Sequence, residues 1–227
     1  MKTARISTVV CLLVLLLVTG LPFYSAQAKL EDELSLEEVA TPTELEELIA
    51  KFARLDYSMI HFDDEGNVTL DIQLNYSYEG QEEVQGVQTD KIAIRGSEEI
   101  DPMDFWIDNN KLVQVKVDGQ VIPEQMLGMI EGQLSRTVFF PFAFYDQLNL
   151  EALDKIGDMQ ISESVGMVGE KEVDIIEIVI QNPIAEAGLE SGNIIFAWIG
   201  DILMLSEYDL ISDDGEHKFS VDTVEVR

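Results

Sequence analysis

Proton transfer near neutral pH falls most readily to histidine, and this chain of 227 residues has two, His61 and His217. Each lies in a stretch that alternates like a β-strand, and each adjoins an acidic turn: Asp63-Asp64-Glu65 after the first, Asp213-Asp214-Gly215-Glu216 before the second. A serine hydrolase sets its nucleophile in a motif such as G-x-S-x-G, and a zinc protease pairs its ligands as H-E-x-x-H; neither motif occurs. The acidic clusters lack the alternating D-x-[DN]-x-[DN]-G ladder from which a calcium loop draws roughly six to eight oxygens. They read as hairpin turns, and the histidines as structural strand residues. With 44 Asp and Glu in the chain, the closeness of any two carboxylates says nothing about acid–base catalysis. No glycine-rich phosphate loop is present. The expectation is a non-enzymatic protein with no catalytic residue, no metal and no cofactor.

The first 28 residues point to export. Lys2 and Arg5 precede an apolar run from Val9 to Val18, and Ser25-Ala26-Gln27-Ala28 closes it with small residues. This is the grammar of a secretory signal peptide cleaved near Ala28, which places the protein in the periplasm or outside the cell. Gly20 and Pro22 interrupt the run before the roughly 20 apolar residues that a membrane span needs. Cys11, the only cysteine, falls inside this leader, so the mature chain is expected to have no thiol and to depend on core burial alone. The formal net charge of −30 repels nucleic acid and anionic head groups. No nucleic-acid partner is expected, and the acidic surface favours a soluble monomer.

These residues need elements to hold them. Residues 29–42 are acidic and free of aromatic side chains, the composition of a flexible leader. From Thr43, which can cap, with Glu46 completing a capping box, Leu45, Leu48, Ile49, Phe52 and Leu55 recur at helical spacing. Val68, Leu70, Ile72, Leu74 and Tyr76 then alternate with Thr69, Asp71, Gln73, Asn75 and Ser77, which predicts a strand of an antiparallel sheet with one wet face. Asp63–Asn67 joins it as a hairpin turn to the preceding run DYSMIHF. Further strands are expected over 91–95, 104–108, 111–117, 120–122, 158–162, 173–181, 194–199, 202–211 and 217–226, with turns at Asn109-Asn110, Asp118-Gly119 and Asp213–Gly215. Between them, residues 123–150 lose the alternation and gather Phe139, Phe140, Phe142, Phe144 and Tyr145 around Pro141, which predicts one or two short helices, the second broken by the proline. No repeat or low-complexity linker divides residues 43–227, which are expected to form one β-rich domain. Sequons at Asn67-Val68-Thr69 and Asn75-Tyr76-Ser77 matter only in a host that glycosylates them.

One local stretch, NPIAEAGLESGNIIFAWIGD at 182–201, resembles the helix-then-strand signature of a PDZ module through Pro183, Ala187-Gly188-Leu189, Gly192 and Gly200. That resemblance implies a C-terminal peptide-binding unit with a second long helix after Asp201. A broader one is carried by the order of elements across 43–227: the helix from Thr43, the strand from Val68 to Tyr76, Gly169-Glu170-Lys171-Glu172-Val173 before the strand at 176–180, Ile195–Ile199 with Trp198, and Ser206-Glu207-Tyr208-Asp209 through Gly215. In this the chain resembles the periplasmic lipoprotein-carrier (LolA-like, lipoprotein-localisation factor) superfamily.

The second resemblance implies an α+β fold, a mainly antiparallel, strongly curved half-open β-barrel with an N-terminal helix and short covering helices, whose concave face holds acyl chains. It also implies an arginine that latches the cover, for which Arg95 and Arg136 are the candidates. The expected ligand-binding residues are Leu70, Ile72, Leu74 and Tyr76 on the sheet face and Phe139, Phe140, Phe142 and Phe144 on the cover, with a lipid or lipidated protein as cargo and a further envelope protein as a possible partner. The same apolar residues could instead fill a closed core, giving a structural or regulatory envelope protein.

Overall fold

The computed structural model describes residues 45–97, 100–130, 140–142, 157–182 and 189–227. The expected signal peptide, the acidic leader and the cap at Thr43 lie outside them. Helix α1 spans Leu45–Lys51, with Glu46 and Glu47 in its first turn and Lys51 in its last, charges that suit the helix dipole. Its N-terminus is capped from a distance: the Glu46 N–H donates to Asn110 Oδ1 at 2.7 Å. At the other end Arg227 donates to the Ile49 carbonyl at 2.9 Å, and Lys51 pairs with Asp201 at 2.9 Å. Leu48 and Ile49 turn inward and are buried.

The helix ends four residues earlier than its spacing predicts, because Phe52 and Leu55 belong to strand β1, Phe52–Phe62. Leu55, Tyr57 and Met59 are buried at a spacing of two while Leu48, Phe52 and Leu55 also satisfy a helical period, so the two patterns overlap in this stretch. Ten strands follow: β2 Val68–Val84, β3 Val87–Gly96, β4 Met103–Asp108, β5 Lys111–Val117, β6 Gln120–Val121, β7 Asp158–Val168, β8 Lys171–Gln181, β9 Leu189–Ile199, β10 Ile202–Ser212 and β11 Gly215–Val226. Tight turns connect most neighbours. Asn109-Asn110 and Asp118-Gly119 both have positive φ at each residue, the conformation that matches the twist of a two-residue hairpin, and both were expected as turns.

All eleven strands form one antiparallel sheet in the order β6-β5-β4-β3-β2-β1-β11-β10-β9-β8-β7. The long β1–β11 ladder, from Phe52↔Val226 to Phe62↔Glu216, joins the first strand of the sequence to the last. The strongly curved half-open β-barrel is not what forms. The order is open, the two-residue β6 and the eleven-residue β7 stand at opposite ends without pairing, and the sheet is neither strongly curled nor closed into a barrel. Of the short covering helices, the described residues contain only a 3₁₀ turn at Glu124–Met126 continued by helical residues 127–130, and the helical residues 140–142.

The PDZ expectation also fails. Residues after Asp201 form β10 and β11, inner strands of the same sheet, where a module of that kind needs a long helix. Asn182 ends β8, Leu189 begins β9, and residues 183–188 lie outside the described set.

Candidate functional site

The histidines come together, but not as a catalytic pair. His61 on β1 and His217 on β11 are direct cross-strand partners, their rings edge to face at 4.5 Å between centroids. His217 Nε2 lies 3.1 Å from Ser212 Oγ and 3.3 Å from Asp214 Oδ1, and Ser212 donates to that same Asp214 oxygen at 2.5 Å. A nucleophile–base relay needs the serine on one imidazole nitrogen and the carboxylate on the other. Here one nitrogen faces both, and the serine proton is directed to the carboxylate, so the trio braces the β10–β11 turn. Asp214 is held below the usual carboxylate range by the Ser212 hydrogen bond and by His217. Burial pushes the His61 imidazole below its ordinary value, reinforced by His217 and opposed by Asp214.

The other acidic cluster is likewise a turn. Asp63 Oδ1 accepts from the Glu65 and Asn67 backbone N–H groups at 3.0 and 2.7 Å, which lowers its pKa together with the Asn67 side-chain amide. Among the described residues no group of three or more His, Cys, Asp or Glu is arranged to hold a metal ion.

What the fold does assemble is an apolar face. Ile72 on β2 pairs with Met59, Met59 with Phe219, Phe219 with Tyr208, Tyr208 with Ile194, Ile194 with Ile178 and Ile178 with Ile161. Cross-strand partners share a face, so this single row runs across seven strands without a polar side chain other than the tyrosine hydroxyl. A parallel row begins Leu74, Tyr57, Val221, and another Tyr76, Leu55, Val224. On the opposite face Trp106 is itself buried, under Lys116 and Lys91 at 4.8 and 5.3 Å, and donates to Glu82 at 3.0 Å.

The four β2 residues expected to bind a ligand therefore do lie together on the apolar face. Ile72, Leu74 and Tyr76 are buried and Leu70 partly so, the last opposite His61 at the end of the face. The Tyr76 hydroxyl donates to the Phe52 carbonyl at 3.3 Å, and burial raises its pKa, as it does for Tyr57 and Tyr208. Two of the cover residues are described, and both rest on this face. Phe142 is 1% exposed and tilts against Phe52 with centroids 4.8 Å apart; Phe140 meets Phe219 edge-on at 5.3 Å. Phe139 and Phe144 lie outside the described residues.

Sequence reasoning missed the aromatic floor beneath the cover. Phe219 packs on Tyr57 at 5.4 Å and stacks on Tyr208 at 5.6 Å. The signal was the alternation of Phe219 and Val221 with Lys218, Ser220 and Asp222. Arg95 does not latch the cover: it donates to the Ile94 and Met103 carbonyls and to Asp104, fastening β3 to β4. Arg136 lies outside the described residues.

No known protein family and no curated protein matches the chain. Among solved structures it is similar to LprF from Mycobacterium bovis, at 10% identity and a TM-score of 0.29 over 78% of this chain and 88% of that one. It is also similar to an exported protein with a YmcC-like fold from Bacteroides fragilis, at 9% identity and a TM-score of 0.28 over 78% of this chain and 99% of that one. At such values neither likeness carries functional weight, and neither protein is described as a lipoprotein-localisation factor.

Proposed function

We propose that this is an exported, non-enzymatic binding protein that carries a lipid or the acyl chain of a lipidated protein between the apolar sheet face and the phenylalanine cover. The observation that supports the reading is the cover itself. Phe140 and Phe142, in a helical turn that belongs to no strand, lie on Phe219 and Phe52, and this reading takes them as the cover. Cargo would take the place of those rings, against Leu70, Ile72, Leu74 and Tyr76 on one side and the segment bearing Phe139, Phe140, Phe142 and Phe144 on the other. The leader ending at Ala28 supports a periplasmic or extracellular location, and residues 43–227 would act as one unit.

The energetics permit it. Burial of a chain of a dozen methylenes contributes roughly 10 kcal/mol at about 0.8 kcal/mol per CH₂. Displacing the fully packed Phe142 costs about 3–5 kcal/mol by analogy with its truncation, and the half-buried Phe140 costs less, which leaves a favourable balance before ordering costs. A second reading, an envelope protein whose core is permanently filled, is favoured by the near-complete burial of Ile72, Leu74, Tyr76 and Phe142. Mass spectrometry under native conditions separates the two when the protein is purified from its own host. Bound lipid supports carriage; a ligand-free protein that also ignores a fluorescent fatty acid leaves the filled core.

A further inference from the structure

The two ends of the sheet are finished differently. β6 is two residues long, whereas β7 runs for eleven, Asp158–Val168, and among the described residues no strand pairs with its outer edge. An uncovered edge presents a row of unpaired backbone donors and acceptors, and proteins usually blunt such edges with brevity, lysine or proline. β7 has none of these in the sequence DMQISESVGMV. It is also largely open to solvent up to Met167: Val165 is 62% and Met167 61% exposed, and Asp158, Gln160, Ser162, Glu163 and Ser164 are exposed as well, whereas Val168 is buried where the β7–β8 turn meets Asp222 of β11.

The charge around this edge has one sign. Val165 pairs across the ladder with Asp174 and Met167 with Glu172, while Glu163 pairs with Ile176. By the two-residue period of a strand, Glu163, Val165 and Met167 share one face with those two carboxylates. The exposed apolar pair is thus ringed by acids, and Lys171 is the only cation between Asp158 and Gln181. A second copy of the chain, with the same acids and a formal charge of −30, is a poor match for this edge. A strand carrying lysine or arginine at alternate positions matches it: the backbone completes the ladder, the aliphatic stems lie on Val165 and Met167, and the charged heads reach toward Glu163, Glu172 and Asp174.

We propose that the free edge of β7 is a docking site for an extended cationic segment of a partner protein, which adds itself to the sheet as a twelfth strand. This edge adjoins the apolar face, whose row ends at Ile161 on β7, and the proposal does not rest on the cargo reading.

The probe is a synthetic peptide alternating lysine and valine, tested beside a control of the same composition in which every valine is the D-enantiomer, so that charge is kept and regular strand pairing is lost. Hydrogen exchange is followed on the full-length protein. The expected result is slower exchange of the amides at 160–167 with the first peptide only, and at least tenfold weaker binding to the double variant Val165→Lys, Met167→Lys. Both substituted positions are mostly exposed, so the variant's unchanged thermal unfolding serves as the folding control. Equal protection by both peptides, protection elsewhere in the sheet, or undiminished binding to the folded double variant overturns the proposal. So does a concentration-dependent dimer that protects β7 without any peptide, since the occupant is then a second copy.

Discussion

Replacing Phe142 by alanine moves stability and binding in opposite directions if the cover is displaced by cargo. Phe142 is 1% exposed and packs on Phe52 at 4.8 Å. Its truncation leaves a cavity against β1, and a buried Phe→Ala change costs about 3–5 kcal/mol, a figure that already contains the lost ring pair. Urea unfolding of Phe142→Ala should therefore show a fall of that size at an unchanged slope. The same ring no longer has to be lifted when an acyl chain enters, so up to about 3 kcal/mol of the binding cost disappears. At about 1.4 kcal/mol per factor of ten, affinity for a long-chain fatty acid should rise by as much as a hundredfold. Titration with a fluorescent fatty acid, in parallel with unfolding of the ligand-free protein, reads both quantities. A loss of stability with no binding in either protein contradicts displacement and describes a filled core. A loss below about 1 kcal/mol contradicts the packing itself.

Two further outcomes follow from particular residues. Gly215 has φ of 131° and closes the β10–β11 turn so near β1 that a Cβ would strike the Phe62 carbonyl; Gly215→Ala should cost several kcal/mol in urea unfolding, and a change under about 1 kcal/mol would show that the turn can relax. The His61 imidazole has a lowered folded pKa, so the unfolded chain binds its proton more readily. That contribution to stability is present above the ordinary value of 6.5 and is lost as pH falls through the lower folded value. Melting temperatures of wild type and His61→Gln between pH 8 and pH 4 should show the wild type losing ground to the variant as pH falls below 6.5; parallel curves would mean that the half-buried ring is not being protonated at a cost.

Most of the sheet could be read in advance because its strands are half-buried and therefore alternate. β2 announced its inward face through Leu70, Ile72, Leu74 and Tyr76, and Asn109-Asn110 and Asp118-Gly119 announced turns that need positive φ. Legibility failed where two periods overlapped, as at Phe52 and Leu55, and where exposure removed the pattern. The second half of β7 has Val165 and Met167 facing solvent and only Val168 buried, so burial left little pattern in its sequence, and its strand character comes from pairing with β8. Sheet curvature was not legible either: alternation fixes which side of a strand faces inward, whereas closure depends on the order of strands and on what the edges meet. The aromatic floor at Tyr57, Tyr208 and Phe219 needed three strands distant in sequence to be placed side by side, which local spacing does not encode. The pairing of His61 with His217 likewise came from the β1–β11 ladder, which joins the two ends of the described chain.

The most direct test of cargo beneath the cover is native mass spectrometry of the mature protein isolated from its own host. Carriage predicts a protein whose mass exceeds that of the polypeptide by one or a few lipid species, which are released on denaturation and lost when Ile72 or Leu74 is replaced by aspartate in a variant shown to stay folded. The bare polypeptide mass, together with no uptake of a fluorescent fatty acid, would contradict it.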